Sequence, residues 1–234
     1  MRRVAALIAL AGICVPLASA AGEPVTVLPK PRFNAPAHEP KASSVRFEIL
    51  SSTPLDPGRL TRAPATPGLR LEGEDGATRQ VVVKPGRYAF DFRKYAWPPR
   101  IVPGEREFVY EEVQWAKEAP GGVLYVETAH LTYARSSYGL NAYLNAIDVG
   151  RRKLLWRSPA LVANARNFAV LNTVIVSGYG FTAEPDYLYA IDRRNGHVRG
   201  RLLVPTAPER IARHGNVLTV DTYDRRLTVR VTER

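Results

Sequence analysis

The sequence has 234 residues, a formal net charge of +11 at neutral pH and a single cysteine, Cys14. A chain of this length can bury the core of one domain of ordinary size. One cysteine excludes an intrachain disulfide, so we expect the fold to depend on its apolar core.

Residues 1–20 have the pattern of a secretory signal peptide. Arg2 and Arg3 give a positive start, residues 4–17 are apolar, and residues 18–20 form an Ala-Ser-Ala cleavage site. The apolar part is too short for a membrane-spanning helix. We predict an exported protein, periplasmic or secreted, without a membrane span.

Cleavage of this peptide removes Cys14, the only thiol of the chain. The mature protein then has no cysteine nucleophile, no thiolate ligand for zinc and no ligand for an iron–sulfur cluster. Lipidation of Cys14 is the alternative, but Ile13 is larger than the residue that normally precedes a lipidated cysteine.

Basic residues are dispersed along the chain, and the clearest pairs fall in or beside predicted turns: Arg151-Arg152, Arg193-Arg194 and Arg225-Arg226. In one interpretation these pairs are solvated turn residues. In the other they form a face for an anionic component of the cell envelope, such as lipid headgroups or acidic polysaccharide. Because the sequence has no nucleic-acid recognition motif, we predict a protein or an anionic envelope component as partner, and no nucleic acid.

The first part of the mature chain is poor in regular structure. Residues 21–43 contain repeated prolines and predict an extended linker. An alternating stretch at residues 45–50 predicts a first strand. Repeated Pro and Gly then make residues 51–70 a long predicted loop.

Order resumes with a predicted hairpin formed by residues 80–83 and 88–92. Its Pro85-Gly86 dipeptide is typical of a type II turn, in which Gly86 would take the positive φ. From residue 108 onward, short alternating strands and turns follow one another without helical periodicity, which indicates an all-β protein.

Two copies of one motif lie in this region. The first reads Ala146-Ile147-Asp148, a turn, and then Leu-Leu-Trp ending at Trp156; the second begins with Ala190-Ile191-Asp192 and continues through Asn195-Gly196. Ala146 and Ala190 lie 44 residues apart, a period that indicates stacked β-repeats.

We predict structural roles for the residues of this motif. Asp148 and Asp192 end a strand and would accept hydrogen bonds from turn amides. Gly196 would supply the positive φ of a tight hairpin. Trp156 would pack its ring between neighbouring sheets.

This motif resembles the repeat of the quinoprotein-like (PQQ-like) β-propellers, although the second copy has Gly200 where the tryptophan would be. The resemblance is clearest over residues 108–234. It implies an all-β fold, a small or incomplete β-propeller-like array of four-stranded antiparallel blades over residues 44–234. The stretch 178–190 also looks like a family of uncharacterised exported bacterial proteins with such repeats.

The quinone-dependent members of the family are longer, and they carry a vicinal disulfide and an acidic calcium site over the cofactor. A mature chain without cysteine departs from that pattern, so we predict no quinone and no other cofactor. The sequence also predicts no metal site, because its four histidines lack metal-ligand spacing: His38, His130, His197 and His214.

The last repeat unit ends one strand early. In a propeller-like fold an N-terminal strand can complete it, and residues 45–50 and 88–92 are the two candidates. If neither strand does so, the open sheet edge would invite a partner strand or an oligomer.

The two longest loops of the repeat region, residues 129–141 and 178–186, both join the second and third strands of a unit. They should therefore emerge from one face, where function concentrates. The candidate ligand-binding residues in them are His130, Tyr133, Arg135, Tyr138, Asn141, Tyr179, Glu184 and Asp186. Such aromatic and polar groups suit a sugar or peptide. Alternatively, they hydrogen-bond the loops to each other.

The predicted function is an exported binding or scaffold module of the cell envelope without evident catalysis. The alternative is a periplasmic enzyme, a quinoprotein-like oxidoreductase or a carbohydrate-active enzyme, with its site in loops 129–141 and 178–186. In that hypothesis Glu184 and Asp186 would act as acid and base, or bind calcium with loop carbonyls.

Overall fold

The computed structural model describes residues 44–56, 112–129, 141–151, 153–165, 167–181 and 184–234, and the backbone of three further strands within residues 70–91. Every regular element in the described part is a β-strand, and all pairing is antiparallel. None of the described residues forms a helix that could span a membrane. The predicted all-β class is confirmed.

Three four-stranded sheets follow one another along the chain. Sheet 1 contains β5 (Glu112–Ala119), β6 (Val123–Ala129), β7 (Tyr143–Asp148) and β8 (Lys153–Arg157). Sheet 2 contains β9 (Ala169–Val170), β10 (Val174–Tyr179), β11 (Tyr187–Asp192) and β12 (Val198–Leu203). Sheet 3 contains β13 (Pro208–His214), β14 (Val217–Thr222), β15 (Arg225–Glu233) and β1 (Val45–Pro54). A fourth sheet contains β2 (Arg70–Glu72), β3 (Thr78–Val83) and β4 (Gly86–Asp91).

The sheets pack face to face, with sheet 2 between sheets 1 and 3. Successive residues of β11 alternate between two buried apolar clusters: Tyr189 and Ile191 belong to the one shared with sheet 1, and Leu188 and Ala190 to the one shared with sheet 3. A strand buried on both faces needs apolar side chains at every position, which explains the unbroken run from Tyr187 to Ile191. This stacking of four-stranded meanders is the predicted β-propeller-like architecture.

The N-terminal strand β1 completes sheet 3. It pairs with β15 along its length, from Val45 opposite Glu233 to Pro54 opposite Arg225. Of the two candidate strands, the one at 45–50 therefore fills the place. Residues 88–91 of the other candidate belong to β4, which pairs with β3, and residue 92 lies outside the described residues. Because β1 occupies the β15 edge, the condition under which we expected an open edge there, and oligomers through it, is not met.

Two local predictions differ from the structure. The strand β1 continues through Pro54, into the predicted loop 51–70, because a register shift after Ile49 lets exposed polar residues keep pairing with β15. Backbone hydrogen bonds carry this pairing, and hydropathy does not report them. Gly86 begins β4 opposite Val83 and is therefore not the third residue of a turn.

Trp156 joins sheets 1 and 2. Its indole Nε1 donates a hydrogen bond to the Arg193 carbonyl at 2.9 Å. Its ring lies against Gly196, which has φ of +76°, and a Cβ at that position would lie 2.6 Å from the ring. The glycine of one repeat thus accommodates the tryptophan of the preceding one.

Side-chain hydrogen bonds also stabilise the turns and the boundary between sheets 2 and 3. Asp148 Oδ1 accepts a hydrogen bond from the Arg151 amide at 2.8 Å, and Asp192 Oδ1 accepts the equivalent bond from the Arg194 amide at 2.8 Å. Between sheets 2 and 3, the Asn167 amide group makes two hydrogen bonds of 2.8 Å with the backbone N–H and carbonyl of Ile211. These bonds fix each hairpin and hold adjacent sheets in register.

Candidate functional site

The strand topology brings the predicted functional loops to one end of the sheets. The β6–β7 and β10–β11 connections leave from the same end as the β12–β13 connection and the β14–β15 turn. Most of loop 129–141 lies outside the described residues, and with it four of the predicted site residues: His130, Tyr133, Arg135 and Tyr138. The other connections at this end of the sheets form the candidate site.

Asn141 is the last residue of loop 129–141, just before β7, and its hydrogen bonds stabilise the local backbone. It is buried, and its Oδ1 accepts a hydrogen bond from the Ala142 amide at 2.7 Å. Its carbonyl accepts another bond from the Leu161 amide at 2.6 Å. Both Ala142 and Leu161 have positive φ, so Asn141 fixes the entry to β7 where the backbone is strained.

An acidic cleft of about 420 Å³ opens between sheets 2 and 3 at this end. The β10–β11 connection contributes one wall, and the β12–β13 connection, the start of β13 and the β14–β15 turn contribute the other. Its lining residues are Gly180, Phe181, Glu184, Asp186, Thr206, Ala207, Glu209 and Tyr223. Three carboxylates and two aromatic rings therefore share one concave surface.

The loop that carries Glu184 is held from below by Tyr179. The Tyr179 hydroxyl donates to Glu184 Oε2 at 2.5 Å, and the Glu184 amide donates to the Phe181 carbonyl at 2.9 Å. Tyr179 is buried in the core between sheets 1 and 2. The structure therefore makes Tyr179 a support for Glu184 instead of a lining residue of the cleft.

Asp186 has an unusual environment. Its Oδ1 atom is buried and has no hydrogen-bond partner among the described residues. A Cβ at position 180 would lie 2.1 Å from this oxygen, so the close contact requires Gly180. Burial, together with the negative charge of Glu184, raises the pKa of Asp186 from its ordinary 3.8 to about 6.

Sheet 3 supplies cleft residues that the sequence did not predict. Glu209 is the second residue of β13, and Tyr223, with 56% of its surface exposed, lies in the β14–β15 turn. The hydroxyl of Thr206 donates to Asp224 Oδ1 at 2.6 Å, which holds the β12–β13 connection against that turn. The strand order could have indicated these residues. In a stack of four-stranded units, the connection from one unit to the next leaves from the same end as the loop between the second and third strands.

The chemistry of the cleft favours a cationic ligand. Carboxylates attract ammonium and guanidinium groups, and aromatic rings pack against their methylene stems. Among the described residues, no group of three or more His, Cys, Asp or Glu side chains has the geometry to hold a metal ion. The four repeat residues lie elsewhere, in turns and between sheets: Asp148, Trp156, Asp192 and Gly196.

No protein-family model and no curated protein matches the chain. Similar solved structures include the computationally designed protein Ika4, at 13% identity and a TM-score of 0.40, covering 71% of this chain and 85% of that one. BamB from Moraxella catarrhalis has 10% identity and a TM-score of 0.34, with 69% and 58% covered. A quinohemoprotein alcohol dehydrogenase from Pseudomonas putida has 10% identity and a TM-score of 0.42, with 79% and 38% covered. This chain thus spans little more than half of BamB and under two fifths of the dehydrogenase.

Proposed function

We propose that the protein is an exported binding module that holds a cationic segment of a partner protein in the acidic cleft. The observation that carries the proposal is the cleft lining, which gathers three carboxylates and two aromatic rings between sheets 2 and 3. The chain as a whole is strongly basic, so the acidic lining of the cleft is opposite in sign to the net charge of the chain.

The cleft is preorganised for binding. Glu184 is positioned by Tyr179, and the contact of Asp186 with Gly180 fixes the second carboxylate. Side chains held in this way lose little conformational entropy when a ligand binds. A lysine or arginine side chain entering the cleft would meet carboxylates from both walls.

Export and membership of the PQQ-like repeat group are part of the proposal. The apolar stretch and Ala-Ser-Ala site in residues 1–20 support export to the periplasm or beyond. The Ala-Ile-Asp repeats and the packing of Trp156 on Gly196 support the repeat group. In this proposal the sheets act as a scaffold and the loop end binds the partner.

The test is titration with a short peptide of alternating lysine and glycine, and with the same peptide acetylated on its lysines. We expect the charged peptide to bind, and Glu209→Gln to weaken binding about fivefold because one carboxylate is lost. The matched control is Glu48→Gln, which removes the same charge from the exposed strand β1. Equal binding of both peptides, or equal weakening by both substitutions, would contradict the proposal.

One observation favours a second candidate function, a carbohydrate-active enzyme that uses Glu184 and Asp186. A carboxyl group with a pKa of about 6 beside a second carboxyl group is suited to general acid catalysis near neutral pH. Hydrolysis of model glycosides, lost in both Asp186→Asn and Glu184→Gln, would establish this candidate. Peptide binding by a protein without such hydrolysis would favour the binding module.

A further inference from the structure

A second cleft of about 500 Å³ lies at the opposite end of the sheets. It is formed by the β9–β10 and β11–β12 turns together with the end of β15. Its lining contains four arginines, two neutral polar residues and one tyrosine: Arg193, Arg194, Arg199, Arg234, Asn172, Thr173 and Tyr125. No Asp or Glu is among the described residues that line it.

Arg193 is held in this cleft by neutral partners among the described residues. Its Nε donates to the Tyr125 hydroxyl at 3.1 Å, and its Nη1 donates to the carbonyls of Leu171 at 3.1 Å and Asn172 at 2.8 Å. All three partners are neutral. The positive charge of this guanidinium is therefore positioned, and no carboxylate in the described part of the chain contacts it.

Arg199 is also held in place. It donates to Ser44 Oγ at 2.7 Å, to Thr173 Oγ1 at 3.0 Å and to the terminal main-chain oxygen of Arg234 at 3.1 Å. These contacts join β12, the β9–β10 turn and both described ends of sheet 3. The guanidinium of Arg199 is thus a positively charged group held in a fixed position at the cleft.

Two carboxylate side chains contact residues that line the cleft. Asp192 lies 3.3 Å from Arg194 and 3.6 Å from Arg199, and Glu233 accepts a hydrogen bond from the Thr173 amide at 2.6 Å. The Arg194 side chain remains 84% exposed despite its ion pair. Asp192, Glu233 and the terminal main-chain oxygen of Arg234 therefore offset part of the charge of the four arginines, and positive charge remains in excess beside the cleft.

From this geometry we propose that the arginine cleft binds a phosphate-bearing anion. Planar guanidinium groups donate paired hydrogen bonds to phosphate oxygens, and the excess of positive charge beside the cleft attracts an anion. The volume is large enough for a phosphate with an attached organic group. The phosphate can belong to a lipid headgroup or to a soluble ester, since both present the same oxygens.

The test is calorimetric titration of the full chain with inorganic phosphate at fixed ionic strength. We expect Arg194→Gln to weaken phosphate binding at least about fivefold, because an exposed cation in the cleft is lost. The control is Arg151→Gln, which removes a turn arginine of sheet 1 that is likewise exposed and paired with an aspartate, Asp148. A second variant, Arg193→Lys, retains the charge but not the paired donors, and should also weaken binding.

The source of the phosphate is distinguished by vesicles. Binding to phosphatidylcholine vesicles that contain phosphatidic acid, weakened by Arg194→Gln and by added inorganic phosphate, would assign the cleft to a lipid headgroup. Phosphate binding without vesicle binding would assign it to a soluble ester. The proposal is overturned if the wild-type chain does not bind phosphate at millimolar concentration, or if Arg151→Gln and Arg194→Gln weaken binding equally.

Discussion

At the scale of single residues, the contact of Trp156 with Gly196 shows how one side chain can require another from the next repeat. The tryptophan ring occupies the space that a Cβ on Gly196 would need, and the indole N–H binds the turn that contains this glycine. The positive φ of Gly196 adds a second, independent requirement for glycine. Both requirements can be separated experimentally.

We predict that Gly196→Ala lowers the free energy of unfolding by about 3 kcal/mol, the sum of left-handed backbone strain and overpacking against Trp156. The control is Gly215→Ala, because Gly215 also has positive φ but nothing lies near its Cβ position. That control should cost only about 1 kcal/mol. Urea denaturation measures the free energy of unfolding of both variants. Equal losses in the two variants would show that the contact between Trp156 and Gly196 is not tight.

A second residue-scale prediction concerns pH. Because the pKa of Asp186 is about 6 in the folded protein against its ordinary 3.8, the folded state holds this proton more tightly than the unfolded state does. Stability from this group is therefore present at low pH and is lost as the pH rises from about 4 to 6. Asp186→Asn should match the wild type near pH 4 and exceed it by about 1 kcal/mol at pH 7, after allowance for solvent screening.

Urea denaturation at pH 4 and pH 7 checks this expectation. Glu184→Gln serves as the comparison, because it removes the charge that helps to raise the pKa of Asp186 and should therefore reduce the pH dependence only in part. A difference between wild type and Asp186→Asn that does not change with pH would refute the assigned titration.

At the scale of elements, β1 is the strand on which sheet 3 depends. It pairs with β15 from the opposite end of the chain, and Ser51 Oγ donates to Thr228 Oγ1 at 2.8 Å across 177 residues. The first residue, Val45, is buried in the apolar cluster between sheets 2 and 3. Loss of β1 would open a long sheet edge and part of this core at once.

We predict that a chain beginning at residue 57 aggregates at micromolar concentration, because the bare β15 edge can pair with other chains. A chain beginning at residue 44 retains β1 and should remain soluble with the unfolding midpoint of the longer protein. Sedimentation and thermal unfolding compare the two truncations. Solubility of the shorter chain at an unchanged midpoint would show that β1 is dispensable.

At the scale of the whole molecule, the two clefts lie at opposite ends of the same sheets. The six-residue strands β10 and β11 separate them by about 20 Å. The acidic cleft opens beside the long connections, and the arginine cleft opens beside the tight turns. The molecule thus has opposite local charge at its two ends, within a basic chain.

We predict that the two clefts act independently. Glu209→Gln should weaken binding of the lysine peptide and leave phosphate binding unchanged, and Arg194→Gln should do the reverse. Changes at sites this far apart add to within about 0.5 kcal/mol, so the double variant should show the sum of the single effects. Calorimetric titration of all three variants tests this, and a larger coupling would indicate communication through sheet 2.

Much of the local fold could be predicted because repeats and turns depend on residues that are close together in the sequence. Strand alternation, Asp192 at the end of a strand and Gly196 in the turn are all local features, and the period of 44 residues indicated that they belong to a stack. The candidate site was predicted only in part. Glu184 and Asp186 were found from their loop, whereas Glu209 and Tyr223 come from the next sheet, and their approach depends on how the sheets pack.

The sequence by itself determined the all-β class, the repeat and the residues that shape each hairpin, because these follow from side-chain spacing and backbone preference. The tertiary structure alone decided that β1 and not the stretch 88–92 completes sheet 3. It also decided which charged residues gather into clefts. Pairing between distant strands uses backbone groups that every residue carries, and the packing of sheets brings together side chains far apart in the chain, so neither leaves a pattern among neighbouring residues.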